Sequence, residues 1–273
     1  MQKPATFRWA LNASTIRPTP LLKKIEVAGA AGYEGIELWH DDIEAYLYAG
    51  GSIAELRSAL DGAGLCVPTT IYLGGWFDCS ETDFPRVLET CRKRMEQAAE
   101  VGARHVIAGP ASGKADVHIG AKRYRLLLEE GLKRGVRPAM EFLGFVEQFN
   151  TLESAIEIIR IADHREATIV IDPFHIFRGG GLFASLSRLS PTEIAISHFN
   201  DTPSHPPRLQ QHDRDRVMPG EGHLDLKGYV GLLKGFGYDG WLSLELFNEA
   251  LWCEDPFEVA RLGLEKMRSY TEA

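Results

Sequence analysis

The sequence predicts a closed (β/α)8 barrel that forms a single domain, and three observations support this fold class. Short β-branched or apolar runs alternate with longer helical segments along the whole chain. Glycine turns separate most helices from the strand that follows, and the alternation yields eight strands, which favours a closed parallel barrel over an open sheet. The chain has 273 residues, and barrels of this kind contain roughly 250. We therefore expect one barrel domain over residues 1–273.

The strands are predicted from short apolar runs that end at a glycine, a proline or a polar residue. They cover residues 7–11, 35–39, 65–72, 105–108, 136–142, 168–171, 194–199 and 241–246. The helices between them are predicted from helical periodicity and capping signals. They cover residues 21–31, 53–61, 84–101, 121–134, 150–163, 182–189 and 226–236, and a last helix begins at residue 255. Three starts carry capping signals: Thr19-Pro20, Asn150 with Glu153, and Asp255-Pro256 with Glu258.

Composition and motifs exclude several classes of function. The net charge of −8 argues against a nucleic-acid partner, since such proteins need a basic face. The four cysteines show no C-x-x-C spacing, and neither a signal-peptide core nor a membrane-spanning stretch is present, so we expect a cytoplasmic protein with no membrane partner. No G-x-G-x-x-G follows the first strand, and neither a P-loop nor a G-x-S-x-G elbow occurs.

The stretch from residue 168 to 181 combines a buried strand with polar groups. The run Thr168–Ile171 ends at Asp172, and Pro173 then stops the strand. In a barrel, a carboxylate at this position lies at the mouth and fits a metal ligand. The alternative, in which Asp172 only caps the following turn, is equally compatible with this residue alone.

The last four predicted strands share this feature, because each ends in a residue able to bind a metal. The four residues are Glu141, Asp172, His198 and Glu245. The carboxyl ends of barrel strands meet at one mouth, and side-chain alternation in the last strand turns Ser243 and Glu245 inward. Three carboxylates in one cavity repel one another unless a cation joins them. The set fits one divalent ion, Mn²⁺, Zn²⁺, Co²⁺ or Mg²⁺; unrelated capping or surface residues are the alternative.

These residues lie in stretches that resemble the xylose-isomerase-like barrel superfamily of sugar isomerases and epimerases, and within it the inosose isomerases. The stretches cover residues 140–144, 150–153, 171–175, 198–202, 213–222 and 243–247. The resemblance extends over the second half of the chain, and over the first half only in its strand pattern. Residues 145–149 and 202–212 differ from the inosose isomerase pattern.

The resemblance implies a divalent-metal-dependent isomerase or epimerase of a small keto-polyol or ketose. Proton transfer would pass through a metal-stabilised enediolate, with Glu141 and Glu245 as acid and base as well as metal ligands. It also implies that His175 binds a substrate oxygen, the alternative being a structural histidine. The guanidinium of Arg216 could hold a substrate oxygen, or the residue could be a solvated loop arginine. Glu37 ends the second strand, where it could line the cavity or form a salt bridge.

Three other functions stay open at this point. A dehydratase acting on an inosose or a dehydroshikimate-type substrate would use the same enediolate. A repair nuclease resembling endonuclease IV would need more histidines and a basic groove, which the sequence does not favour. A non-catalytic sugar-binding barrel would not need a metal set. The expected partner is a small polyol or sugar, and the sequence leaves a homo-oligomer open.

Overall fold

The computed structural model describes residues 7–271, and within that range eight parallel strands close into one barrel in chain order. The predicted (β/α)8 fold is thereby confirmed. The strands are β1 Arg8–Asn12, β2 Gly35–Trp39, β3 Thr69–Leu73, β4 His105–Ala108, β5 Arg137–Met140, β6 Thr168–Ile171, β7 Ile194–Phe199 and β8 Trp241–Leu244. Residues 1–6 and 272–273 of the predicted domain lie outside the described residues.

Helices surround the strands and connect them. They are α1 Leu21–Ala31, α2 His40–Tyr48, α3 Ile53–Gly62, α4 Phe84–Glu100, α5 Val117–Leu132, α6 Leu152–Ala162, α7 Pro173–Arg178, α8 Leu226–Gly235 and α9 Pro256–Thr271. Among the described residues, none of the helices combines the length and the apolar character that a membrane crossing requires. The predicted helix at 182–189 is a 3₁₀ helix, Phe183–Arg188.

Capping differs from the prediction at the starts of α1 and α6, and α5 begins at Val117 rather than at residue 121, with Asp116 as its N-cap. Pro20 itself is the N-cap of α1, and no side chain caps that helix, so Thr19 does not serve this purpose. In α6 the capping box joins Thr151 to Ser154 rather than Asn150 to Glu153. Thr151 has the extended backbone of an N-cap residue, and this geometry shifts the box by one residue.

Side-chain alternation in β6 separates two hydrophobic clusters. Ile169 and Ile171 pack in the large cluster that lies between the strands and the helices. Val170 packs in a small cluster with residues such as Ile107 and Ile196 from other strands. Asp172 follows two positions after Val170 and therefore shares the inward face.

Candidate active site and metal centre

Asp172 serves two purposes, one with each carboxylate oxygen. Its Oδ1 accepts a hydrogen bond of 2.7 Å from the backbone N–H of Phe174 and so caps α7. Its Oδ2 lies 3.4 Å from His198 Nδ1 and 3.0 Å from Arg216 Nη1. The capping interpretation of Asp172 is therefore confirmed, while its second oxygen approaches His198 and its role as a metal ligand stays a prediction.

The four predicted ligands meet around the ring of His198. Asp172, His198 and Glu245 each offer a donor atom, and these atoms lie within 4.8 Å of one another. His198 Nδ1 lies 3.0 Å from Glu245 Oε2 and 3.7 Å from Glu141 Oε1. Glu141 is close to the ring but stands outside the group of three. The three-residue group is a candidate metal site in the described part of the chain.

The donor set fits a divalent cation. Both ring nitrogens of His198 are buried, and within residues 7–271 they find no partner of hydrogen-bond geometry. Burial alone would lower the pKa of His198, but the carboxylates of Glu245 and Glu37 outweigh it and raise that pKa. Burial, reinforced by the charges of Glu245 and Asp172, raises the pKa of Glu141 to about 8. Excess negative charge of this kind is relieved by a cation, and mixed oxygen and nitrogen donors suit Mn²⁺, Zn²⁺, Co²⁺ or Mg²⁺.

Arg216 is buried in the cluster and is not a solvated loop residue. Only 1% of its side chain is exposed, and its Nη1 lies 2.5 Å from Glu245 Oε2. The second terminal nitrogen, Nη2, lies 2.5 Å from Asp213 Oδ1 and 3.0 Å from His175 Nε2. These carboxylates raise the pKa of Arg216 despite its burial. The arginine therefore provides permanent positive charge at the mouth.

A cavity of about 350 Å³ opens at this end of the barrel. Its polar lining includes Glu141, His175, Arg216 and Glu245, and its apolar wall includes Trp39, Tyr72, Phe145 and Phe247. Burial lowers the pKa of His175 to about 4, so this ring is neutral near pH 7. Its Nδ1 accepts a 3.1 Å hydrogen bond from the backbone N–H of Gly144. A side chain at Gly144 would meet the backbone oxygen of His175 at 2.6 Å, so this close approach requires glycine.

Glu37 is not among the residues that line the cavity, and it approaches His198 instead, as the salt-bridge alternative expects. Its carboxylate is fully buried behind the His198 ring, with Oε1 3.4 Å from Nε2. Glu37 pairs in register with Asn12 and lies two residues before Trp39, the last residue of β2. A sequence position near a strand end does not reveal whether an inward carboxylate lies in the cavity or behind the proposed metal ligands.

Sequence reasoning missed three buried polar residues. Asn12 Nδ2 donates to Glu245 Oε1 at 2.9 Å and to Glu37 Oε1 at 3.1 Å. Asn200 Nδ2 donates to Asp172 Oδ1 at 3.1 Å. A signal for Asn12 was available, because it ends β1 as the ligands end their strands.

The third missed residue, Asp201, shapes the loop that carries Arg216. Its Oδ2 accepts hydrogen bonds of 3.1 Å from the backbone N–H groups of Gly220 and Gly222. Asp201 also forms an isolated antiparallel bridge with Val217. These contacts fix the loop next to β7 and bring the arginine to the mouth.

Comparisons with known proteins agree with this architecture. Residues 25–270 match the family model described as Xylose isomerase-like TIM barrel. An inosose isomerase of Bacillus velezensis is 26% identical over 280 residues, covering 94% of this chain and 95% of the relative. A 3-dehydroshikimate dehydratase of Pseudomonas putida is 26% identical over 251 residues, which are 90% of this chain but only 39% of that protein. This chain thus spans about two fifths of the dehydratase and nearly the full length of the inosose isomerase.

The fold is also found among solved structures. The crystal structure of an IOLI protein with a bound zinc atom superposes with a TM-score of 0.90 at 23% identity, covering 97% of this chain and 98% of that one. An L-ribulose 3-epimerase superposes with a TM-score of 0.76 at 19% identity, covering 98% and 97% of the two chains. The predicted resemblance to inosose isomerases is confirmed by these relatives. With its eight-stranded barrel and the match over residues 25–270, the chain belongs to the xylose isomerase-like TIM barrel family.

Proposed function

We propose that this chain is a divalent-metal-dependent isomerase or epimerase of a small, uncharged keto-polyol or ketose such as an inosose. One observation carries the proposal. Glu141 and Glu245 come from different strands, approach the same nitrogen of His198, and line the same cavity as His175 and Arg216. A pair of carboxylates across one cavity is what proton transfer between neighbouring carbons needs.

The proposed metal would be held by Asp172, His198 and Glu245, with Glu141 beside them. When bound, a divalent cation would supply the positive charge that acidifies the C–H next to a substrate carbonyl and stabilises the resulting enediolate. The IOLI structure has the same fold and contains a bound zinc atom, and this supports a divalent metal in the present chain. Elemental analysis of the purified protein distinguishes among Mn²⁺, Zn²⁺, Co²⁺ and Mg²⁺.

Glu245 and Glu141 move the proton in this proposal. Asn12 and Arg216 hold the two oxygens of Glu245, at 2.9 Å and 2.5 Å, so its carboxylate has a fixed orientation. Glu141 makes no such contact with either residue and 12% of its side chain is exposed to the cavity. One carboxylate removes the proton next to the carbonyl, and the other returns a proton on the far side of the substrate.

His175 and Arg216 orient the substrate. Because Nδ1 of the neutral His175 ring accepts from Gly144, its proton resides on Nε2, which faces Arg216 Nη2 at 3.0 Å. Two donors in contact cannot satisfy each other. A substrate oxygen between them would accept from both, and this supports a polyol oxygen at that point.

The charges favour an uncharged substrate. Arg216 is the only lysine or arginine among the described residues that line the cavity, and Asp172, Glu245 and Asp213 already contact it. A carboxylate or phosphate on the substrate would face this acidic lining, and the described lining residues offer no further cation to pair with it. The faces of Trp39 and Phe247 offer an apolar surface for the carbon ring of a polyol.

A dehydratase is the second candidate, and the likeness to 3-dehydroshikimate dehydratases favours it. Dehydroshikimate carries a carboxylate, which needs a cationic partner. Arg17 does not line the cavity, but its guanidinium carbon lies 5.0 Å from the ring of Trp39 in the aromatic wall, and this makes it the candidate cationic partner. Substitution Arg17→Gln would abolish turnover of an anionic substrate and leave turnover of a neutral one nearly unchanged.

Deuterium exchange tests both candidates. The Mn²⁺-loaded protein is incubated in D₂O with an inosose, a ketohexose or 3-dehydroshikimate, and the products are analysed by NMR after the metal is chelated. We expect deuterium at the carbon next to the carbonyl of a neutral substrate, lost in Glu245→Gln and retained in the control Glu265→Gln on α9, whose side chain is 68% exposed. A dehydrated product from dehydroshikimate alone would establish the second candidate, and absence of any exchange would contradict both.

A further inference from the structure

Glu37 is a buried carboxylate that the proposed chemistry does not use. Its side chain is fully buried, and three neighbours donate to it: Asn12 Nδ2 at 3.1 Å, the hydroxyl of Thr69 and the hydroxyl of Ser243. The fourth neighbour is Nε2 of His198, 3.4 Å from Glu37 Oε1. A buried ionised carboxylate is costly unless donors surround it; three donors surround Glu37, and the His198 ring lies against its Oε1.

The two nitrogens of His198 face opposite surroundings. Nε2 faces Glu37, whose other neighbours already use it as an acceptor. Nδ1 faces Glu245 at 3.0 Å, Asp172 at 3.4 Å and Glu141 at 3.7 Å. An ionised carboxylate only accepts hydrogen bonds, and carboxylates face both nitrogens. A cation held by the three carboxylates on the Nδ1 side would use the Nδ1 lone pair and leave the ring proton on Nε2, beside Glu37. In a neutral imidazole the other nitrogen then has the lone pair.

We propose that Glu37 is a positioning residue that keeps the proton of His198 on Nε2 and thereby presents the Nδ1 lone pair to the metal ion. This inference rests on the metal site of the proposed function. It adds that Glu37 is the residue that orients one of the proposed ligands of that site. A carboxylate behind a metal-binding histidine fixes both the ring orientation and the proton position. Glu37 acts only through His198, because the ring separates it from the cavity.

The same carboxylate connects two of the candidate ligands. Asn12 donates one N–H to Glu37 and the other to Glu245, so Glu37, Asn12 and Glu245 form a continuous chain. On its other side Glu37 contacts His198. A change at Glu37 therefore affects an imidazole ligand directly and a carboxylate ligand through one amide.

Zinc affinity and the histidine tautomer test the role of Glu37. We would titrate zinc against a competing chelator in the wild type and in the variants Glu37→Gln and Glu37→Ala. Glutamine keeps an acceptor oxygen and the packing volume, so we expect about tenfold weaker zinc binding, whereas alanine removes the acceptor and weakens binding about 100-fold. Glu34→Gln is the matched control, because it removes a carboxylate near β2 whose side chain is 47% exposed, and it leaves zinc affinity unchanged.

The tautomer is read by nitrogen NMR of histidine-labelled protein. In the zinc-loaded wild type, we expect a slowly exchanging N–H on Nε2 of His198, retained in Glu37→Gln and lost to exchange in Glu37→Ala. A merely structural glutamate would change the melting temperature without moving this proton. A proton on Nδ1, or wild-type zinc affinity in a folded Glu37→Ala, overturns the proposal.

The same NMR spectrum of the zinc-free protein distinguishes a failure of the proposed metal site from a failure of the proposed role of Glu37. If the wild type binds no zinc, the proposed metal site fails. A protected Nε2 proton that depends on Glu37 in the zinc-free protein still supports its action on His198, and an unprotected one contradicts it.

Discussion

The two ends of the barrel both concentrate charged side chains, yet only one of them has the features of a reaction centre. At the carboxyl end, Asp172, Glu245 and Glu141 converge on one nitrogen of His198. At the amino end, a cavity of about 330 Å³ is lined by Arg8, Arg104, His105 and Arg137 among others. The first end is acidic and the second is rich in arginine.

The arginines at the amino end are directed to separate partners. Arg137 Nη2 lies 2.6 Å from Glu166, and the guanidinium of Arg8 stacks 3.8 Å from the Trp241 ring. At the other end Asp172 and Glu245 share one arginine, Arg216, and both approach the same nitrogen of His198. The difference shows that convergence of like charges on a common donor, rather than the number of charges, identifies a site that needs a cation.

Two buried histidines show the same contrast. Burial together with Arg104 and Arg137 lowers the pKa of His105 to about 3. Carboxylates raise the pKa of His198 although it is equally buried. Each end of the barrel therefore determines the charge of its own histidine.

The largest expected effect is on metal affinity. Substitutions at the carboxyl end of the barrel should lower it, whereas a substitution at the amino end should not. His198→Ala and Asp172→Asn each remove a proposed ligand, so we expect metal affinity to fall by more than about 100-fold, beyond the loss for a supporting residue. His105→Gln, which changes the buried histidine of the other end, serves as the control and leaves affinity unchanged. Elemental analysis after dialysis measures the bound metal. Full metal content in either ligand variant would contradict its assignment.

A smaller effect is expected at Arg216, which neutralises the acidic end. Arg216→Gln leaves Asp172 and Glu245 buried without their cation, and loss of one partner of a buried ion pair costs about 3 kcal/mol of unfolding free energy. Urea denaturation of the metal-free protein measures it. Added Mn²⁺ should reduce the difference in unfolding free energy between this variant and the wild type, because the ion replaces the missing positive charge. A difference that is independent of Mn²⁺ would mean that arginine and metal do not share these carboxylates.

The smallest expected effect concerns the amino end and pH. His105 is neutral when folded, with a pKa of about 3, whereas the unfolded chain takes up a proton near the ordinary value of 6.5. The unfolded state therefore binds more protons as the pH falls, and stability decreases below that value. From about pH 7 to about pH 5.5, His105 contributes a loss of about 1 kcal/mol. Urea denaturation at both pH values should show a smaller loss of unfolding free energy in His105→Gln than in the wild type. An equal loss in the variant and the wild type would contradict this role of His105.

Sequence periodicity was sufficient for the barrel and for the bounds of four of the eight strands. β2, β4, β6 and β7 have the predicted bounds, because each is a short apolar run stopped by a strong breaker or a polar residue. Helix α2, His40–Tyr48, was not predicted. It follows β2 directly and has neither a capping side chain nor a proline at its start.

The residues of the site that lie at strand ends were predictable from the sequence. How far along the barrel axis each inward side chain lies was not. Asp172, His198 and Glu245 could be inferred because strand ends of a barrel meet at one mouth. The placement of Glu37 behind His198 depends on the stagger between β1 and β2, which the sequence does not specify. The strand-end position of Asn12 was a usable signal, but its hydrogen bonds, like those of Asp201, join distant segments and cannot be inferred from local patterns.

Anomalous diffraction from zinc-soaked crystals tests the central claim most directly, because it locates the ion without reference to activity. The account predicts one strong peak at the carboxyl end, in bonding contact with Asp172, Glu245 and Nδ1 of His198. A crystal without a peak there, or with zinc bound through Nε2 of His198, would contradict it.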